Sequence, residues 1–159
     1  MLSDLRIGLL CVAAACALPM TVQAQRAPDE SAILATVKQL FDGMRAGDSA
    51  MVHAAFHPRA QLATAVTRLG KAGVEFDSLD TFVRNVGTPH DSIWDERVRN
   101  QSVRQDATLA TVWAEYSFYV GSRFNHCGVD AIQLAKVGEG WRIVALTDTR
   151  RRRPCPEQP

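Results

Sequence analysis

The sequence lacks the marks of several large functional classes. It has no glycine-rich phosphate loop, no Walker pattern and no dinucleotide fingerprint, so nothing in it is shaped to hold ATP or a nicotinamide cofactor, and no cofactor is expected. It also lacks a charge of one dominant sign. The formal net charge is +1, which gives no pull toward nucleic acid or acidic partners. The one basic run, Arg150 to Arg153, ends a strand and enters a tail, without the wider basic surface and stacking aromatics that a nucleic-acid site needs. No metal-ligand spacing appears. His53 and His57 share a helical face but have no third ligand, and His90 falls in a loop. There is no internal repeat and no linker. After residue 24 no apolar run is long enough to span a bilayer, which takes about 20 residues. Cysteine is scarce as well, with four in the chain.

What is present begins with an export signal. Arg6 and the amino terminus precede an uncharged apolar stretch from Ile7 to Met20, too short to cross a membrane. Pro19 breaks a helix near its end. Val22-Gln23-Ala24 offers compact residues where a signal peptidase reads, so residues 1–24 are expected to be cleaved near Ala24 and the remainder to work in the periplasm or outside the cell. A lipid anchor at Cys16 is disfavoured by Ala13, which stands where a leucine-like residue is wanted. Cleavage removes Cys11 and Cys16. Cys127 and Cys155 remain, a candidate disulfide in an oxidising compartment. Closing that loop would stabilise the fold by roughly 3–4 kcal/mol. The alternatives are two free thiols or a bridge between chains.

The remaining length suits one domain, expected over 25–151 with a tail over 152–159. Ile33, Leu34, Val37, Leu40, Phe41 and Met44 recur at helical spacing, opened by Asp29 or Ser31 and ended near Gly47. Asp48 or Ser49 opens a short second helix that Pro58 closes. Gln61 to Thr67 reads as a strand, Gly70 to Gly73 as a turn, and Ser78 or Asp80 starts a third helix that stops at Gly87-Thr88-Pro89. Ile93 to Gln105 is a long polar strand whose imperfect alternation predicts a bulge or a sheet edge. Ala107 to Val120 alternates clearly. Its even positions, Ala110 to Val120, form the core face, while its odd positions carry Trp113 and Tyr119, more aromatic surface than a solvated face needs. Val129 to Val137 and Trp141 to Arg150 complete the strands. Helices first and antiparallel strands after define an α+β fold, a curved sheet with helices closing its concave side over a pocket.

Several segments carry a family likeness: Phe56-His57-Pro58, Trp113-Ala114-Glu115-Tyr116-Ser117-Phe118-Tyr119, Phe124-Asn125-His126-Cys127-Gly128-Val129-Asp130, Gly140-Trp141-Arg142-Ile143 and Asp148-Thr149-Arg150-Arg151. Over about residues 31–151 the chain resembles the NTF2-like superfamily, a cone-shaped α+β fold. Within it the chain is similar to the SnoaL-like exported proteins labelled putative lumazine-binding. The resemblance implies a cone-shaped pocket on a scaffold that hosts isomerases, dehydratases, cyclases and plain binding domains alike. Glu115 departs from the pattern, since similar proteins often have proline there.

Three functions fit these residues. The first is an exported domain binding a small, partly apolar molecule, with Tyr116, Phe118, Trp141 and Arg150 at the pocket, and dimerising through the face of Trp113 and Tyr119. The second is a cofactor-free enzyme in which His126 acts as general acid or base and Asp148 orients it or acts itself. The third is a dimeric interaction module with a filled pocket. A Cys127–His126 nucleophile is disfavoured, because neighbours on a strand point to opposite faces and a disulfide would consume the thiol.

Overall fold

Helix formation follows the apolar spacing. In the computed structural model, which describes residues 28–152, 154 and 155, α1 runs Glu30–Ala46 and α2 runs Ser49–Ala55. The expected signal peptide, residues 1–24, lies outside the described residues. On α1, Ile33, Val37, Leu40, Phe41 and Met44 are all buried. Gly47 ends the helix in the left-handed region at φ +66°, where a residue without Cβ is unstrained. Asp29 does not cap α1 with its side chain. Its carboxylate is drawn away by the Lys136 ammonium at 2.8 Å and the Trp141 indole N–H at 3.3 Å. Asp48 does cap α2, accepting from the Met51 N–H at 2.8 Å.

Strand β1 (Phe56–Arg68) starts earlier than expected. Pro58 therefore lies inside a strand rather than closing a helix. It is tolerated because the pairing of β1 with its neighbour shifts register between Phe56 and Gln61, and a bulge has no need of the missing N–H. The expected turn over Gly70 to Gly73 narrows to Leu69 and Gly70, both at positive φ, the conformation of a tight hairpin. Beyond it a strand that the sequence did not announce, β2 (Lys71–Asp77), pairs back on β1. All seven of its residues are exposed, so it has no core-facing alternation to read. Helix α3 (Leu79–Gly87) follows, capped by Ser78, whose hydroxyl accepts from the Thr81 N–H at 3.1 Å.

The remaining strands are β3 (Trp94–Asp106), β4 (Leu109–Val120), β5 (Arg123–Val137) and β6 (Gly140–Thr149). Together they form one curved, six-stranded sheet in the order β2-β1-β6-β5-β4-β3, antiparallel except where β1 runs parallel to β6. This is the expected α+β architecture, and the polar strand β3 is both an edge and bulged, between Arg99 and Ser102. Helix α1 packs on β3 and β6, α2 on β1 and β6, and α3 on β1.

On β4 the expected alternation holds for Ala110, Val112, Ala114 and Tyr116, all at most 1% exposed, whereas Trp113 on the opposite face is 58% exposed. It fails from Ser117, an odd position that is only 3% exposed, and the β4–β5 register shifts after Phe118. Tyr119 is buried too, with the Arg97 guanidinium 4.2 Å above its ring and Phe124 edge-on at 5.7 Å. The outer face therefore offers Trp113 without Tyr119.

Cys127 and Cys155 are joined in a disulfide. Cys127 and Arg151 also exchange backbone hydrogen bonds, each 2.9 Å, so the start of the tail is fastened to β5.

Candidate functional site

Cross-strand register decides which side chains meet above the sheet. On the inward face, Ala110 stands opposite Leu134, Val112 opposite Ile132, Ala114 opposite Asp130, Tyr116 opposite Gly128 and Phe118 opposite His126. Glu96 of β3 lies across from Phe118, and Asp148 of β6 lies across from Asp130. A bulge makes the last pairing possible. Leu134 pairs with Ile143 but Gln133 pairs with Ala145, so Val144 is the extra residue. Inward positions on β6 change from odd, at Trp141 and Ile143, to even, at Leu146 and Asp148. Gly128 permits the close packing beneath: a Cβ there would lie 1.8 Å from the Thr149 carbonyl oxygen and 2.7 Å from the Tyr116 ring.

Between this stretch of sheet and the helices lies a cavity of about 250 Å³. Its apolar wall includes Leu40, Phe41, Phe56, Phe82, Trp94 and Phe118, and its titratable groups are Asp77, Glu96, His126, Asp130, Asp148 and Arg150, with Thr64 and Asn85 as neutral polar side chains.

The polar groups interlock. The Arg150 Nε donates to Asp148 Oδ2 at 2.7 Å. The Tyr116 hydroxyl donates to the Thr149 carbonyl at 2.9 Å and lies 3.2 Å from the same Asp148 oxygen. Asp130 is 1% exposed, and its Oδ2 is buried without a hydrogen-bond donor among the described residues. Its carboxyl lies within hydrogen-bond reach of Glu96. Two carboxyls in contact cannot both ionise cheaply. Burial, then the charge of Asp130, pushes Glu96 well above the usual carboxyl range. Burial also lifts Asp130 to about 7, helped by the charge of Asp148 and held back by the hydrogen bond from Glu96. Glu96 thus keeps a proton and donates it to Asp130. Burial, with Asp148 and Glu96 adding repulsion, raises the Tyr116 phenol. Burial lowers His126 to about 4, with the charge of Arg150 acting in the same direction, so this histidine is neutral at pH 7. Its Nδ1 meets the Asn125 side-chain oxygen at 2.9 Å, which places the ring proton there and leaves Nε2 as an acceptor.

Among the residues singled out from sequence, the fold brings Phe118, His126, Asp148 and Arg150 to the cavity, and sets Tyr116 beneath it through the hydroxyl contact with Asp148. His126 and Asp148 share the cavity, but the donors on Asp148 are Tyr116 and Arg150. Trp141 is not at the cavity wall. It is 2% exposed on the odd-numbered side of the β6 bulge, where its carbonyl meets the Thr36 hydroxyl of α1 at 3.4 Å.

Sequence reasoning missed Glu96 and Asp130. Asp130 shares parity with Ile132 and Leu134, and a carboxyl in the apolar phase of a strand is a signal in its own right. Glu96 shares parity with Trp94 and Val98, but the surrounding charges of β3 hid it.

Residues 28–147 match the model of a family described as putative lumazine-binding. No match is found among curated proteins. Among solved structures, an NTF2-like protein from Cytophaga hutchinsonii superposes with a TM-score of 0.64 at 12% identity, over 79% of this chain and 100% of that one. A putative scytalone dehydratase from Novosphingobium aromaticivorans superposes at 0.62 with 13% identity, over 77% and 84%. An NTF2-like protein of unknown function from Silicibacter pomeroyi gives 0.56 at 20% identity, over 76% and 94%. At these identities the likeness establishes a shared fold.

Proposed function

The chain belongs to the putative lumazine-binding family, on the NTF2-like fold, and from that premise we propose that it binds a small, partly apolar molecule in the cavity between α1, α3 and the sheet. The observation that carries this reading is the cavity itself, about 250 Å³ with an aromatic and aliphatic wall and several charged groups. Binding sites combine those two features, with apolar area for affinity and a few fixed polar groups for orientation. An interaction module with a filled pocket does not fit such a cavity. The test is native mass spectrometry of the protein purified from its own host, beside a Thr64→Trp variant that fills the cavity from the position across from Asp148. A retained small molecule that the variant loses is the expected result. Equal adduct mass in both proteins, or none in either, counts against the reading.

A second reading, cofactor-free proton transfer by His126 and Asp148, draws support from a neutral histidine lining the same cavity as a buried carboxylate. It is the weaker of the two, because Asp148 is already hydrogen-bonded to Tyr116 and Arg150.

We further propose export by cleavage near Ala24, which the Cys127–Cys155 disulfide favours; two reactive thiols per chain in unreduced protein would count against it. Dimerisation through the outer sheet face rests on exposed Trp113. Trp113→Arg should halve the mass in solution, and a wild-type protein that is already monomeric removes the proposal.

A further inference from the structure

The cavity is unbalanced in charge. Asp77, Glu96, Asp130 and Asp148 line it against one fixed cation, Arg150, and Arg150 is committed to Asp148. Asp77 is turned toward the start of α3, where its Oδ1 accepts from the Ser78 N–H at 2.8 Å. That leaves the Glu96–Asp130 pair, on β3 and β5, without a cation of its own. The buried Oδ2 of Asp130 receives no N–H or O–H from any fixed donor among the described residues. Its neighbour Glu96 can donate only while it holds a proton. Buried acceptors are nearly always satisfied, and an exception calls for an explanation.

We propose that the Glu96–Asp130 pair is the recognition end of the pocket, and that it takes the ammonium group of a primary or secondary amine whose apolar body lies against Phe41, Phe56, Phe82 and Phe118. This deepens the pocket reading and rests on it. Below neutrality a second proton, on Asp130 itself, occupies the place of the ligand's charge in the empty protein. An arriving ammonium supplies the N–H donors that Asp130 Oδ2 lacks and removes the need for that proton, which leaves as the ligand binds.

The groups facing the pair from the elements around it are Asp148 and Arg150 at the end of β6, His126 on β5, Tyr116 on β4 and Asp77 at the end of β2. The last stays at the α3 N-terminus, and neutral His126 adds no positive charge. Asp148 adds negative charge, which favours a cation over an anion. With Asp130 lifted to about 7, its own proton is present below neutrality and gone above it, while Glu96, pushed well above the usual carboxyl range, keeps the one it donates. Amine affinity should therefore climb about tenfold per pH unit below pH 7 and level off above, by one-proton linkage.

The experiment is calorimetric titration of the purified protein with three probes of one shape: 2-phenylethylamine, 2-phenylethanol and phenylacetate. At pH 8 the amine should bind at least tenfold more tightly than the alcohol, and the carboxylate most weakly. That advantage should disappear by about pH 5.5. Near pH 6.5, heats in buffers of different ionisation enthalpy should report release of close to one proton. Asp130→Asn should cut the amine's advantage below twofold and leave the alcohol's affinity unchanged. Glu96→Gln, which mimics the protonated Glu96 by supplying a fixed N–H donor to Asp130, should keep the pH dependence, because the titrating group is Asp130. Equal binding of amine and alcohol at pH 8, tighter binding of the carboxylate, or an undiminished preference in Asp130→Asn overturns the inference and leaves the pocket standing. If no probe binds, pocket and inference fall together. Should a variant not fold, the pH profile and proton release of the wild type decide alone.

Discussion

The inward face of the sheet has two halves built on one alternation. Near the β4 start it carries Ala110, Val112, Ile132, Leu134 and Ile143, each at most 1% exposed and sealed under α1. From the next inward pair onward it carries Asp130, Tyr116, Gly128, Phe118 and Asp148, and a cavity opens above them. The β4–β5 ladder is continuous across the two halves. The contrast shows that the fold is indifferent to what fills its wide end. Hydrophobic burial at the closed half supplies the stability, and that surplus tolerates a proton-sharing carboxyl pair at the other, which no folding argument would place there.

The largest way to break this comparison is at its boundary. Gly128 has no room for a side chain, and the nearest obstacle is the backbone of β6, which cannot swing aside as a flexible side chain can. Gly128→Ala should cost more than about 4 kcal/mol, in the exceptional class for a point substitution, and yield little soluble protein. A variant with a wild-type urea midpoint would mean that β5 and β6 can separate there. Removing the tail's anchor comes next. Cys155→Ser opens a loop between positions 28 residues apart, for an expected loss of about 3–4 kcal/mol. The loss should be seen in urea unfolding and be matched by reduction of the wild type. The two halves themselves can then be weighed against each other. Leu134→Ala, at a fully buried site, should cost about 3 kcal/mol, while Leu146→Ala, which enlarges an existing cavity, should cost about half as much. Equal losses would show that the wide end is as tightly packed as the closed one.

How far the sequence could be read follows the same division. Elements whose apolar residues recur with a clear period, α1 and β4, were legible because burial dictates residue type there. Strand β2 was not, because none of its residues is buried; it exists through backbone pairing with β1, which leaves no mark on side-chain choice. Trp141 was assigned to the correct face but the wrong half. Alternation reports which side of a sheet a residue takes, not how far along the cone it sits, and a bulge at Val144 intervenes between Trp141 and Asp148. The Glu96–Asp130 contact joins β3 to β5 across β4, and only the assembled register brings the two together.

The smallest expected effect separates the halves most cleanly, because its sign is opposite to the others. Truncation at the closed half must destabilise. At the open half, Asp130→Asn removes a buried carboxyl whose ionised form lacks a cation, and a neutral group of the same shape should stabilise. The gain depends on pH. Asp130 titrates near 7 in the folded chain and near 4 when unfolded. The folded state thus holds the proton more tightly, and the contribution of Asp130 to stability is complete below about pH 4 and lost as pH rises through 7. Carboxylates shifted the other way, such as Asp42 beside Lys38 and Asp95 beside Arg97 and Arg45, lose their contribution on acidification, but they are common to both proteins and cancel in the difference. Urea midpoints of the two proteins should therefore coincide near pH 4 and separate progressively to pH 8, where Asp130→Asn is the more stable by about 1–3 kcal/mol. A gap that does not change with pH would mean that Asp130 is ionised throughout, and would remove the titration near neutrality on which the contrast between the two halves depends.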